Sequence, residues 1–156
     1  MQTEIINNQN KVKFDLEFIG RSSACISNKF DPDNHRSLNI IFITNDEIQK
    51  FNKSYRNIDG PTDVLSFSYL LDIDDAGTGD GTAVIGEIYI SPEEALKNSR
   101  NQGKDWSLEL EIMMLVVHGM LHIYGYDHEN EEERAVMYSI QDSMIHELRN
   151  KNWNSY

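Results

Sequence analysis

Hydrophobic positions along the chain alternate between two spacings, and the changes of spacing mark out the elements. Residues 38–44, Leu-Asn-Ile-Ile-Phe-Ile-Thr, form a short run rich in β-branched side chains, the pattern of a buried strand. Residues 64–69 and 83–90 read the same way, and 4–6 offers a short edge strand. Between these runs apolar residues return every three or four positions. The stretch 14–28 carries Phe14, Leu16, Phe18, Ile19, Cys25 and Ile26 at loosely helical spacing, although Gly20 weakens it. Thr44 or Asn45 can cap a helix through about Tyr55. Ser91-Pro92-Glu93-Glu94 combines a capping serine, a proline at the first helical position and acids in the first turn, so a helix starts there and ends near Gly103. Residues 107–124 make the longest apolar-rich helix. From Ile112 to Val117 it is apolar on every side, which places it at the centre of the domain. Residues 130–150 form a last amphipathic helix with Ala135, Met137, Tyr138, Ile140, Met144, Ile145 and Leu148 as its apolar positions. Residues 71–82 are rich in Asp and Gly without periodicity and read as a mobile loop.

Strands alternating with helices predict an α/β (α+β) fold. The expected architecture is one compact domain over residues 1–156, a small, mostly four-stranded mixed sheet packed against several helices, with the apolar helix 107–124 in the middle. No apolar run approaches the roughly 18 residues of a membrane span. The first eight residues lack a basic stretch followed by a long apolar one and do not read as a secretion signal. The single cysteine, Cys25, excludes an internal disulfide and fits a reducing compartment, most simply the cytoplasm. The formal net charge of −12 argues against nonspecific affinity for nucleic acid, DNA included. Basic residues nevertheless gather in Lys50, Lys53 and Arg56, and again in Lys97, Arg100 and Lys104. Both groups suit either a local positive patch or ordinary solvated helix faces.

The chemistry concentrates in His118-Gly119-Met120-Leu121-His122-Ile123-Tyr124-Gly125-Tyr126-Asp127-His128. His118 and His122, four apart, share one helical face. Gly125 can end the helix in a left-handed conformation and return the chain, so that His128 closes on the same point. Three imidazole nitrogens leave a fourth position of a zinc ion open to water, as in catalytic sites. Zinc is the default ion; nickel, copper or another divalent metal also suits imidazole. The spacing matches that of metzincin proteases, but those enzymes carry a glutamate as general base after the first histidine, where this chain has Gly119. A protease would need a substitute such as Asp127, Glu129 or Glu111, and Asp127 suits equally the role of orienting a histidine ring.

The run His118 to His128 resembles the signature H-G-x-L-H-L-x-G-Y-D-H of the YbeY family, bacterial single-strand-specific endoribonucleases of ribosomal RNA maturation, with Ile123 for leucine. A second block, Tyr55-Arg56-Asn57-Ile58-Asp59-Gly60-Pro61-Thr62-Asp63-Val64-Leu65-Ser66-Phe67, is similar to the family's Y-R-x-x-D-x-P-T-D-V-L-S-F, with Gly60 where lysine is common. A third, Gly86-Glu87-Ile88-Tyr89-Ile90, resembles G-D-I-x-I. The resemblance spans roughly 38–150. It implies that His118, His122 and His128 hold one zinc, with His118 and Arg56 important for activity. It also implies single-stranded RNA, 16S ribosomal RNA in particular, as substrate, with the ribosome or small-subunit ribosomal proteins as partners. The Arg56 guanidinium can stabilise charge building on a phosphodiester through paired hydrogen bonds. Thr62 and Ser66 can offer hydroxyls to RNA, though turn and strand-end bonding explains them equally well; Tyr124 and Tyr126 can offer stacking faces, though such tyrosines are more often core or rim residues. Two rivals stand beside this reading: a metallopeptidase, and a non-catalytic metal- or ribosome-binding module.

Overall fold

A computed structural model describes residues 1–70 and 83–151. Its elements run β1 (Gln2–Asn7), α1 (Leu16–Phe30), β2 (Arg36–Phe42), α2 (Asn45–Arg56), β3 (Val64–Ser68), β4 (Ala83–Ile90), α3 (Pro92–Arg100), α4 (Leu108–Ile123) and α5 (Glu131–Asn150). Each strand and helix expected from the periodicity is present, with shifted ends. β1 extends beyond 4–6 because it pairs along its whole length with β2. α1 passes through Gly20, where the cost of glycine is outweighed by burial of Ile19 and Ile26 on either side. α3 stops at Arg100, before Gly103, whose φ of +98° belongs to the following turn. The stretch 71–82, read as a mobile loop, lies outside the described residues.

Helix starts follow the capping residues. Thr44, Ser91, Ser107 and Asn130 each accept a hydrogen bond from the backbone N–H three positions on, a contact worth about 1 kcal/mol. Among the described residues no helix is long and apolar enough to cross a membrane.

The four strands form a mixed sheet in the order β1-β2-β4-β3. β1, β2 and β4 are parallel, and β3 runs antiparallel to β4 on the outer edge. Strand alternation sends two apolar sets to opposite faces. Leu38, Ile40 and Phe42 of β2 join Ile88 and Ile90 of β4 in the larger core, with Ile112, Met113, Val116, Val117 and Met120 of α4. On the other face Ile41, Leu65, Phe67 and Tyr89 pack with Ile48 and Phe51 of α2. Burial on both sides explains why the strands read as apolar runs rather than strict alternations. α4 touches α1, α3, α5, β3 and β4, as its all-round apolar middle requires.

Candidate metal centre

The three histidines owe their convergence to the way α4 ends. His118 and His122 stand one turn apart on the helix. Gly125 N–H then donates to His122 O at 3.0 Å and Tyr126 N–H to Leu121 O at 3.0 Å, the paired bonds of a Schellman termination. That closure needs a left-handed residue, and Gly125 supplies it at φ +91°. The chain turns back, Asp127 Oδ1 accepts from His128 N–H at 2.7 Å, and the His128 ring arrives beside the other two. Ring centroids lie 4.6 Å apart for His118 and His122, 5.1 Å for His122 and His128, and 5.7 Å for His118 and His128.

The donor atoms fit a metal ion. One ligand atom from each ring lies within 4.8 Å of the others. The Nε2 atoms of His118 and His122 face each other at 3.1 Å. Two nitrogens on a tetrahedral zinc at ~2.0–2.1 Å would stand about 3.3 Å apart. Burial holds both His118 and His122 below the usual histidine range, and the neighbouring imidazoles push the same way; Gln141 and Asp63 oppose this at His118. The rings are therefore neutral at neutral pH, the form that ligates metals. Among the described residues the close group of metal-type donors consists of these three alone.

The trio opens into a cavity of about 420 Å³ bounded by β3 and lined also by Arg56, Thr62, Asp63, Ser66 and Ser68. Arg56 sits in the last turn of α2, and Asn57, in the left-handed region at φ 57°, ends that helix. Buried Asn52 then ties the following turn through Nδ2 to Gly60 O at 2.9 Å. The chain is led from Arg56 straight into β3. Among the described residues the Arg56 guanidinium makes no ion pair or hydrogen bond. Lys53 and Lys97, by contrast, pair with Asp59 and Glu94, and of the two basic groups Arg56 is the residue that lines the cavity.

The fold decides several alternatives that the sequence left open. Gly119 offers no base, as the sequence implies, and the fold adds a packing reason: a Cβ there would come within 2.9–3.0 Å of three Ile88 side-chain carbons. This face of α4 lies against β4, and a glutamate has no room. Glu111 is 1 % exposed, accepts from Trp106 Nε1 at 2.6 Å and does not line the cavity. Asp127 bonds the backbone of the turn, and Glu129 is exposed outside the cavity. Tyr124 stacks on Phe30 at 4.9 Å and Tyr126 borders a separate groove, so neither faces the histidines. Thr62 and Ser66 do line the cavity. Two residues escaped the sequence reading. Asp63 is the carboxylate among the cavity-lining residues, held by Asn98 Nδ2 at 3.1 Å. Gln141 of α5 touches His118 Nδ1 through Oε1 at 3.0 Å. A polar residue inside the otherwise apolar stripe Met137, Gln141, Ile145, Leu148 was the available signal.

Comparison with known proteins gives concordant matches. The family model described as Endoribonuclease YbeY matches residues 4–149. Endoribonuclease YbeY of Syntrophomonas wolfei is 35% identical, the match covering 96% of this chain and 98% of the relative. That of Acholeplasma laidlawii is 40% identical over 74% of this chain and 77% of its own. The solution structure of TM1509 from Thermotoga maritima superposes with a TM-score of 0.62 at 29% identity, covering 94% of this chain and 89% of that one.

Proposed function

From the premise that this chain belongs to the endoribonuclease YbeY family, we propose that it is a zinc-dependent endoribonuclease that hydrolyses phosphodiester bonds in single-stranded ribosomal RNA. One observation carries the reading: the Arg56 guanidinium, which pairs with no described residue, shares one cavity with three imidazoles, of which burial keeps His118 and His122 neutral. His118 and His122, through Nε2, and His128 would hold the ion. When bound, zinc polarises a phosphoryl oxygen and lowers the pKa of a coordinated water to about 7.

The protein's own groups do the rest. Arg56 binds phosphate oxygens with paired donors and favours the charge that builds on them as the bond breaks. Thr62 and Ser66 offer hydroxyls along the cavity wall. Global charge opposes RNA, so the local balance matters: Arg56 and the ion outweigh Asp63 at the point where a phosphate enters. By family likeness the cavity takes one extended strand rather than a duplex. By family likeness the substrate is 16S ribosomal RNA, cut during maturation of its 3′ end and in ribosome quality control. Small-subunit ribosomal proteins are the partners, and the cytoplasm is the setting.

The test incubates zinc-loaded protein with single-stranded and duplex RNA beside His118→Ala and Arg56→Ala variants. Cleavage of the single strand alone, abolished by the first and strongly reduced by the second, is expected. Equal cleavage by all three proteins, or zinc content without turnover, would sink the proposal. A 2′,3′-cyclic phosphate on the product would identify the RNA 2′-hydroxyl as the attacking group.

A further inference from the structure

The metal-type nitrogens of His118 are not equivalent: Nε2 faces His122 and the cavity, while Nδ1 meets Gln141 Oε1 at 3.0 Å. Gln141 is 6 % exposed and sits between Met137 and Ile145 on the buried face of α5. A glutamine there breaks an apolar stripe, and its presence needs a partner. The carbonyl oxygen of an amide only accepts hydrogen bonds, so this contact requires the proton on Nδ1. A neutral imidazole carries one ring proton. With Nδ1 protonated, the Nε2 lone pair is free and points into the cavity.

We infer that Gln141 is a positioning residue that locks His118 in the Nδ1–H tautomer and in its ring orientation, presetting Nε2 as a ligand. The inference rests on the metal reading above. It assigns a role to α5, which otherwise contributes no residue to the cavity lining. The opposite amide orientation would aim the Gln141 Nε2–H donors at the ring, force the imidazole proton onto its own Nε2 and close the site to a cation. A neutral partner also has a consequence that a carboxylate would not. It fixes the ring without adding negative charge behind the ligand, so the site keeps the full attraction for a phosphate.

Two variants and two readouts test this. Gln141→Met removes the acceptor at similar volume; Gln141→Glu keeps an acceptor at the same reach. In metal-free protein, 15N–1H spectra of the imidazoles report which nitrogen of His118 carries the proton. Zinc affinity is measured by competition with a chromophoric chelator. The wild type should show the Nδ1–H form. Gln141→Met should lose that preference and bind zinc roughly 10–100-fold more weakly, while Gln141→Glu keeps both at wild-type level or better. Unchanged ring spectra and zinc affinity in Gln141→Met would overturn the inference. So would equal losses in both variants, which mean that Gln141 serves only packing. If wild type bound no zinc, the metal reading would fail by itself, and the ring spectra would still decide the tautomer.

Discussion

The two walls of the cavity are built to opposite specifications. On the α4 side the histidines rise from the larger core. Their helix is buried on nearly every face, its end is fixed by a Schellman turn, and α5 supports one ring from behind. On the α2 side the underlying cluster is small, Arg56 is exposed, and the adjacent Tyr55 is 65 % exposed over Phe67. Rigid ligands suit a metal ion, whose donors must keep fixed distances. A long, exposed side chain suits a phosphate that would arrive on a flexible polymer. The contrast teaches that preorganisation is concentrated where geometry is strict.

The largest effects should come from the rigid wall. His118→Ala or His122→Ala is expected to leave no turnover above background and no stoichiometric zinc, measured by elemental analysis and RNA cleavage, with the fold intact by circular dichroism. Arg56→Ala should lower the cleavage rate by about 10²–10³-fold, the scale of losing one strong transition-state donor. Its zinc content and melting temperature should stay at wild-type values. Arg56→Lys should recover only part of the rate, since an ammonium lacks the paired donors of a guanidinium. A fall in zinc affinity on losing Arg56 would erase the division of labour between the walls.

These two sides also differ in how far they could be read from the chain. His118, His122, Gly125 and His128 are close in sequence, and helical spacing plus a left-handed stop is enough to bring them together. The strands and helices were legible for the same local reason. Arg56 lies 62 positions before His118, and spacing alone cannot join them; only the family resemblance did. Gln141 was missed because its meaning depends on how α5 packs on α4. The packing role of Gly119 was missed for the same reason. In sequence it is an absent base, but in the fold it is the point where α4 meets Ile88 of β4.

That contact supplies a middle-sized prediction. Gly119→Ala gains up to about 1 kcal/mol of helix propensity but overpacks a buried contact at a cost of about 1–3 kcal/mol. A net loss near 1 kcal/mol would lower the melting temperature by ~2–4 °C for a protein of this size. Gly60→Ala, with no atom of the other described residues within 4 Å of the added Cβ beyond its chain neighbours, should change stability by less than ~0.5 kcal/mol. Equal behaviour of the two variants in thermal unfolding would show that α4 is not pressed against β4.

The smallest effect is a pH slope, and it asks whether burial governs the whole His118 face of α4. Glu111 lies seven residues before His118, two turns along the same face. Burial lifts its carboxyl above the usual 4.5, Trp106 N–H partly offsets this, and Asp63 adds to the rise. The same desolvation lowers His118, so one cause moves two groups in opposite directions and leaves both neutral more readily. The sign for Glu111 follows from proton binding. As pH rises past 4.5 the unfolded chain releases this proton while the folded chain keeps it. The folded state then binds more protons, and stability falls with rising pH until the raised folded value is passed. The stabilising contribution is thus full below pH 4.5 and lost above the folded value. Glu111→Gln keeps an acceptor for Trp106 and removes the charge, so unfolding midpoints in denaturant should lose that downward slope just above pH 4.5. A slope unchanged by Glu111→Gln would place its origin elsewhere and detach Glu111 from the desolvation that holds His118 neutral.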